Sequence, residues 1–158
     1  MAIVQTAEIF PEYKGKIWVK PFRATVRGIF KTVFRTKIRG MEKIESLKGQ
    51  PMVIVADHTS MFDGALLAAT LPVDAMYAID TYQYEKFKRH PIFGPLMDSV
   101  EMYTLDPANT KSIDRMTEKV KAGKPLVIFP EGTLTSTGSF MPIESLAAQL
   151  SARAGAWV

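Results

Sequence analysis

A chain of 158 residues is one domain's worth, and 47% apolar residues are enough to bury a core, which excludes a disordered or fibrous protein. There is no cysteine, so disulfides, a thiolate nucleophile and cysteine-ligated metal are ruled out, and a cytoplasmic setting is the default expectation. The formal charge of +4 is unevenly spread: residues 14 to 48 carry 11 Lys/Arg against 2 Glu, so the remainder is net acidic.

Residues 1 to 13 alternate weakly and carry no chemistry, which reads as a loosely held lead-in. From Pro21 a helix is expected. Trp18, Phe22, Val26, Phe30, Phe34 and Ile38 recur every four residues, and Lys20, Arg23, Arg27, Lys31 and Arg35 form a separate basic stripe. Aromatics opposite a cationic face suit a helix lying in an anionic membrane surface, with Trp18, Phe22, Arg23, Arg27, Phe30, Lys31, Phe34 and Arg35 as the contacting residues. The same pattern fits a helix packed on a core with a solvated basic back, and the two readings are compatible. No nucleic-acid recognition motif accompanies the charge, so no nucleic-acid partner is expected. No apolar run approaches the roughly 20 residues needed to span a bilayer, and the N-terminus lacks a charged-then-apolar signal pattern.

Beyond Gly40 a charged turn is expected over Lys43 to Gln50, then a buried strand over Pro51 to Ala56. Gly64 to Leu71 reads as an Ala/Leu-rich helix ended by Pro72, which places His58 in the strand-to-helix loop and Asp63 in the helix's first turn. Further elements are a strand over Val73 to Ile79, a short helix over Tyr82 to Lys88, a Pro/Gly loop over His90 to Pro95 and a strand over Val100 to Leu105. His90 reads as a surface loop residue. Thr110 to Ala122 reads as a helix with Ile113, Met116 and Val120 inward and Gly123 at its C-cap. A buried strand over Leu126 to Phe129 follows, then a polar turn over Thr135 to Ser139 and a helix over Glu144 to Ala154. Apolar strands alternating with helices predict an α/β fold: a central, mostly parallel or mixed sheet flanked by helices, with functional loops at strand ends. One domain is expected, with residues 1–40 as lead-in and amphipathic helix and 41–158 as the α/β body.

His58 and Asp63 are the candidate catalytic pair. A neutral imidazole can take a proton from a hydroxyl near pH 7, and a carboxylate on its other nitrogen fixes the tautomer and stabilises the imidazolium. Residues five apart in a helix diverge by about 140°, so the pair meets only if His58 precedes the helix and folds back. On spacing alone, Ser60-x-x-Asp63 reads as a capping box before it reads as a catalytic pair, with Asp63 serving helix stability and His58 incidental. Capping and catalysis are compatible, because a helix N-terminus favours a neutral base and offers free N–H groups to an anion. Backbone donors near Ser60 are expected to meet the developing oxyanion. The block Phe129-Pro130-Glu131-Gly132-Thr133, at another strand exit, taken alone reads equally as a strand followed by an ordinary Pro/Gly turn with one exposed Glu; together with the His58–Asp63 loop it is the expected partner. Two histidines 32 residues apart, without a ligand-spaced neighbour, make a metal site improbable.

An H-x-x-x-x-D block followed some seventy residues later by F-P-E-G-T, with Pro91-x-Phe93-Gly94 between, resembles the glycerolipid acyltransferases typified by 1-acyl-sn-glycerol-3-phosphate acyltransferase. The resemblance covers about residues 25 to 155. Leu105-Asp106-Pro107 and Thr137-Gly138-Ser139 look closest to the acyltransferase half of the bifunctional 2-acylglycerophosphoethanolamine acyltransferase/acyl-carrier-protein synthetase. It implies that His58 is the general base, that Asp63 orients it, and that Glu131, Gly132 and Thr133 line the acceptor site. A lysophospholipid hydroxyl attacks an acyl thioester of acyl carrier protein or coenzyme A, with no further cofactor, at the cytoplasmic face of the inner membrane. No protein nucleophile is needed, in keeping with the absence of cysteine and of a G-x-S-x-G elbow. The alternative expectation is a non-catalytic, peripheral lipid-binding relative.

Three departures bear on the acceptor. Asp57 stands where the family usually has Asn before its histidine, and either raises the base's proton affinity or faces solvent. Leu105-Asp106 replaces the arginine that lysophosphatidate enzymes carry near the end of their middle block, and Thr133-Leu134 stands where an arginine commonly follows the Gly. A phosphate monoester wants such a cationic fork, so its absence favours a phosphodiester headgroup such as lysophosphatidylethanolamine. In the family the chain continues after Trp157 as a core strand. A chain stopping at Val158 is therefore expected to be either a minimal version or one lacking a strand, with a neighbouring edge left open.

Overall fold

The structure, a computed structural model, describes residues 19–91, 93–105, 111–131 and 145–158. The helices are α1 (Val19–Thr32), α2 (Met41–Ser46), α3 (Asp63–Thr70), α4 (Thr81–Lys88), α5 (Phe93–Met97), α6 (Lys111–Lys121) and α7 (Leu146–Ala154). Four apolar runs, β1 (Val53–Val55), β2 (Met76–Asp80), β3 (Glu101–Leu105) and β4 (Leu126–Ile128), form one parallel sheet in the order β1-β4-β2-β3. Parallel neighbours require crossovers, and α3, the α4–α5 pair and α6 supply them. Leu126 pairs with both Val53 and Met76, which makes β4 an interior strand, buried along its whole length. That is why its sequence reads as an unbroken apolar run.

Side-chain alternation along the strands divides the core in two. Val53, Met76, Leu126 and Ile128 face Met116 and Val120 of α6 and Ala147, Leu150 and Ala154 of α7. Tyr77, Val127 and the half-buried Ile54 and Phe129 face Leu67 and Ala68 of α3. The result is a three-layer α/β/α body. Trp157 makes a parallel bridge to Met52, with Val53 N–H donating to the Trp157 carbonyl at 2.8 Å and Trp157 N–H to that of Pro51 at 3.0 Å. The strand expected to begin at the end of the chain is thus paired beside β1.

Gly123 closes α6 as expected. Its φ is +86°, its N–H reaches the Val120 carbonyl, and Lys124 N–H reaches that of Lys119. Other expectations are corrected. The charged turn after Gly40 contains α2, and the expected loop from His90 to Pro95 gives way to α5 at Phe93, since a proline in a helix's first turn forfeits no internal hydrogen bond. The basic helix ends at Thr32, short of Phe34 and Ile38: Arg35 takes a φ of +50°, and Thr36 N–H folds back to the Phe30 carbonyl at 3.1 Å. The strand expected from Val73 is paired only from Met76. Residues 1–18, Asp106-Pro107, the Thr135 to Ser139 turn and Glu144, the first residue of the expected last helix, lie outside the described residues.

Candidate active site

Strand β1 delivers His58 and β4 delivers Glu131 to the same edge of the sheet. Val55 pairs with Ile128, and each candidate residue lies three positions further on. In a parallel α/β sheet the C-terminal strand ends are where ligand sites form, because there the crossovers open into loops.

Between β1 and α3 the chain makes an extra turn before the helix, with Asp63 N–H donating to the Ser60 carbonyl at 3.1 Å. The Asp63 carboxylate then folds back. Its Oδ2 accepts from Ser60 N–H at 2.7 Å and Thr59 N–H at 2.8 Å, and lies 3.3 Å from His58 Nδ1. His58 precedes the helix, so the two side chains meet. The capping-box expectation holds in one limb only. Ser60 Oγ accepts from Phe62 N–H at 3.2 Å, and Phe62, at the N-cap position, contributes no side-chain cap. Asp63 engages the Thr59 and Ser60 amides, so these two are not available to an oxyanion.

The His58 ring stacks on Phe129, with centroids 4.3 Å apart and planes inclined by 26°. With Nδ1 against Asp63, Nε2 is the nitrogen left for a substrate proton. Glu131 is 7% exposed, and its buried Oε2 has no hydrogen-bond partner among the described residues. A buried acceptor without a donor is costly, so this oxygen is suited to a hydroxyl or ammonium brought by a ligand. Gly132 and Thr133 lie outside the described residues. Asp57 is exposed, in keeping with the solvent-facing alternative. Met61 and Phe62 are about half exposed beside the dyad, and Phe62 leans on Phe93, which in turn contacts Phe87 and His90. Among the described residues no group of three His, Asp or Glu could hold a metal ion.

The basic helix is divided in its roles. Phe30 is buried, Phe22 and Val26 are half-buried, and α1 packs along α3. Arg23, expected at a membrane surface, instead donates to the Ser99 carbonyl at 2.8 Å and pairs with Asp74 at 3.2 Å. Asp74 also accepts from Lys124 at 2.7 Å. Burial pushes the Asp74 carboxyl up, but Lys124 and Arg23 outweigh it and hold it below its ordinary value. Asp74 and Ser99 each stand two residues before a strand, so Arg23 docks α1 at the N-terminal edge of the sheet. His58 lies at the opposite edge, and a strand the length of β2 spans about 16 Å. Arg27, Lys31, Phe34 and Arg35 are exposed, and a cleft of about 340 Å³ is lined by Arg27, Phe30, Lys31, Thr36, Ile38 and Thr70. Trp18 lies outside the described residues, among which no helix is long and apolar enough to cross a membrane.

The family model described as Acyltransferase matches residues 35–158, spanning both the His58–Asp63 block and Glu131. The chain belongs to the Acyltransferase family. A solved structure shares its fold: the crystal structure of the 1-acyl-sn-glycerophosphate (LPA) acyltransferase PlsC from Thermotoga maritima is similar with a TM-score of 0.50 and 13% identity, over 87% of this chain and 69% of that one. At that identity the likeness is one of fold. The parallel sheet flanked by helices is therefore the acyltransferase architecture, and the dyad and Glu131 occupy its loop edge.

Sequence reading named His58, Asp63 and Glu131, which the fold brings to one edge. It missed Phe129 as a neighbour of the imidazole, although Phe129 directly precedes the Pro130-Glu131 pair, and it missed Arg23 as an internal anchor.

Proposed function

We propose that this chain transfers a fatty acyl group from an acyl thioester of acyl carrier protein or coenzyme A to the free hydroxyl of a lysophospholipid. His58 Nε2 takes the hydroxyl proton as the oxygen attacks the thioester carbonyl, Asp63 holds Nδ1 and stabilises the imidazolium, and the C–S bond breaks. The proton on His58 then passes to the departing sulfur. The observation that carries this reading is the single Asp63 oxygen bridging His58 Nδ1 and two backbone amides, which orients a base at the loop edge of an acyltransferase fold. The buried, unpartnered Glu131 Oε2 supports an acceptor site beside it. The missing arginines, together with Leu105-Asp106-Pro107, favour lysophosphatidylethanolamine over lysophosphatidate and support a likeness to the acyltransferase half of the bifunctional enzyme.

The test is a matrix of purified protein with lysophosphatidylethanolamine or lysophosphatidate, each with acyl-carrier-protein and coenzyme A donors. Transfer is expected with lysophosphatidylethanolamine and abolished by His58→Ala. No transfer in any combination, or transfer undiminished in His58→Ala, overturns the reading. Liposome binding without turnover would instead assign the chain to the non-catalytic, lipid-binding alternative.

The acceptor is membrane-resident, and a peripheral placement on an anionic surface belongs to the same proposal. Exposed Arg27, Lys31 and Arg35 beside exposed Ile29, Val33 and Phe34 support it. Arg23, by its internal contacts, and Phe30, by its burial, are withdrawn from that surface.

A further inference from the structure

One contact at the dyad lies outside this mechanism. A lone contact of 3.3 Å between Nδ1 and Asp63 restrains one atom of the imidazole and leaves the ring free to swing about that axis. A base of use in proton transfer needs its plane held as well, because the proton is taken along the Nε2 lone pair, which lies in that plane. The second restraint is the ring of Phe129, stacked at 4.3 Å. Phe129 is itself anchored. It packs with the cluster that includes Val127, Ala68 and Leu67, and the neighbouring Ile128 carbonyl accepts from Ala56 N–H at 3.2 Å, locking the two strand exits together.

We infer that Phe129 is a positioning residue for His58, its ring face setting the imidazole plane so that Nδ1 meets Asp63 while Nε2 stays free. This rests on the reading of His58 as the base. The aromatic face also carries negative charge density, which favours the imidazolium once the proton has moved. The contact therefore gains strength as the reaction proceeds and acts on kcat more than on KM. A leucine at this position keeps apolar bulk and removes the ring face; tyrosine or tryptophan keeps the face.

Phe129→Leu, Phe129→Tyr and His58→Ala are compared with wild type in steady-state transfer, alongside proton NMR of the histidine ring signals and a thermal melt. Phe129→Leu is expected to lower kcat about 3- to 10-fold with KM little changed, while Phe129→Tyr restores it. In wild type the His58 ring protons should be shifted upfield by the adjacent ring and show nuclear Overhauser contacts to Phe129, with the shift lost in Phe129→Leu and kept in Phe129→Tyr. Absence of those wild-type signatures overturns the inference whether or not Phe129→Leu folds. So does an unchanged kcat in folded Phe129→Leu, or an equal loss in the leucine and tyrosine variants. Transfer that survives His58→Ala defeats the base reading instead, and the NMR signature is read independently of it.

Discussion

Asp63 Oδ2 sits 3.3 Å from His58 Nδ1 while accepting from the Ser60 amide at 2.7 Å, so one carboxylate both shapes the loop and orients the imidazole. Asp63→Asn retains a side-chain oxygen for the Thr59 and Ser60 amides but carries no charge. It is expected to unfold close to wild type in urea while losing about 10²- to 10⁴-fold in kcat/KM. Asp63→Ala loses the loop bonds as well and should cost an additional 1–3 kcal/mol, or about that, in the same titration. Equal stability of the alanine variant and wild type would show that the amide bonds do not hold the loop.

Arg23 links α1 to residues far along the chain, and its role is expected to be structural. Arg23→Met should lower unfolding stability by about 1–3 kcal/mol, since the Ser99 carbonyl and Asp74 each lose a charged donor. Initial-rate assays should find kcat close to wild type, because the anchor lies at the sheet edge opposite His58.

Arg27 and Lys31 are the exposed cations of α1 that line the cleft, so they carry the membrane prediction. With each surface-near basic residue worth about 1 kcal/mol, Arg27→Glu combined with Lys31→Glu should release the protein from anionic vesicles in a sedimentation assay. Unchanged co-sedimentation would refute a lipid surface along this face.

Asp74 is expected to set part of the acid limb of stability. Its folded value lies below the ordinary 3.8. The stabilisation is thus fully present above 3.8 and is lost as pH falls through the depressed value, where the native carboxylate takes up its proton. Asp74→Asn should flatten this limb in thermal melts recorded against pH. On the alkaline side, Glu101 raises Lys119 above its ordinary 10.5, overcoming burial. That contribution is present below 10.5 and fades as pH rises through the raised value, and Lys119→Met should remove it.

Gly123 permits a contact that no side chain allows. A Cβ there would lie 2.4 Å from the Gly49 carbonyl oxygen, at a φ of +86°. Gly123→Ala is expected to destabilise the fold by about 2–4 kcal/mol in chemical denaturation, through backbone strain and displacement of the Gly49 turn. A loss below about 0.5 kcal/mol, the range of a neutral surface change, would show that the turn yields.

The elements and the dyad were largely legible in the amino-acid sequence. Strand runs such as Leu126–Ile128, the inward Met116 and Val120 and the terminating Gly123 follow from local periodicity and backbone preference, which act over a few residues. The His58–Asp63 pairing also lies within one loop, and its geometry requires only that the histidine precede the helix. What the tertiary structure decided is non-local. The order β1-β4-β2-β3 places β4 beside β1 and so sets Glu131 level with His58 and the Phe129 ring against the imidazole. The same holds for the basic helix. Its stripe of charge was plain in sequence, but only the folded chain turns Arg23 inward onto Ser99, 76 residues away, and leaves Arg27 and Lys31 outside. Burial within the assembled layers chooses which side chains face the protein, and no pattern confined to one helix contains that choice.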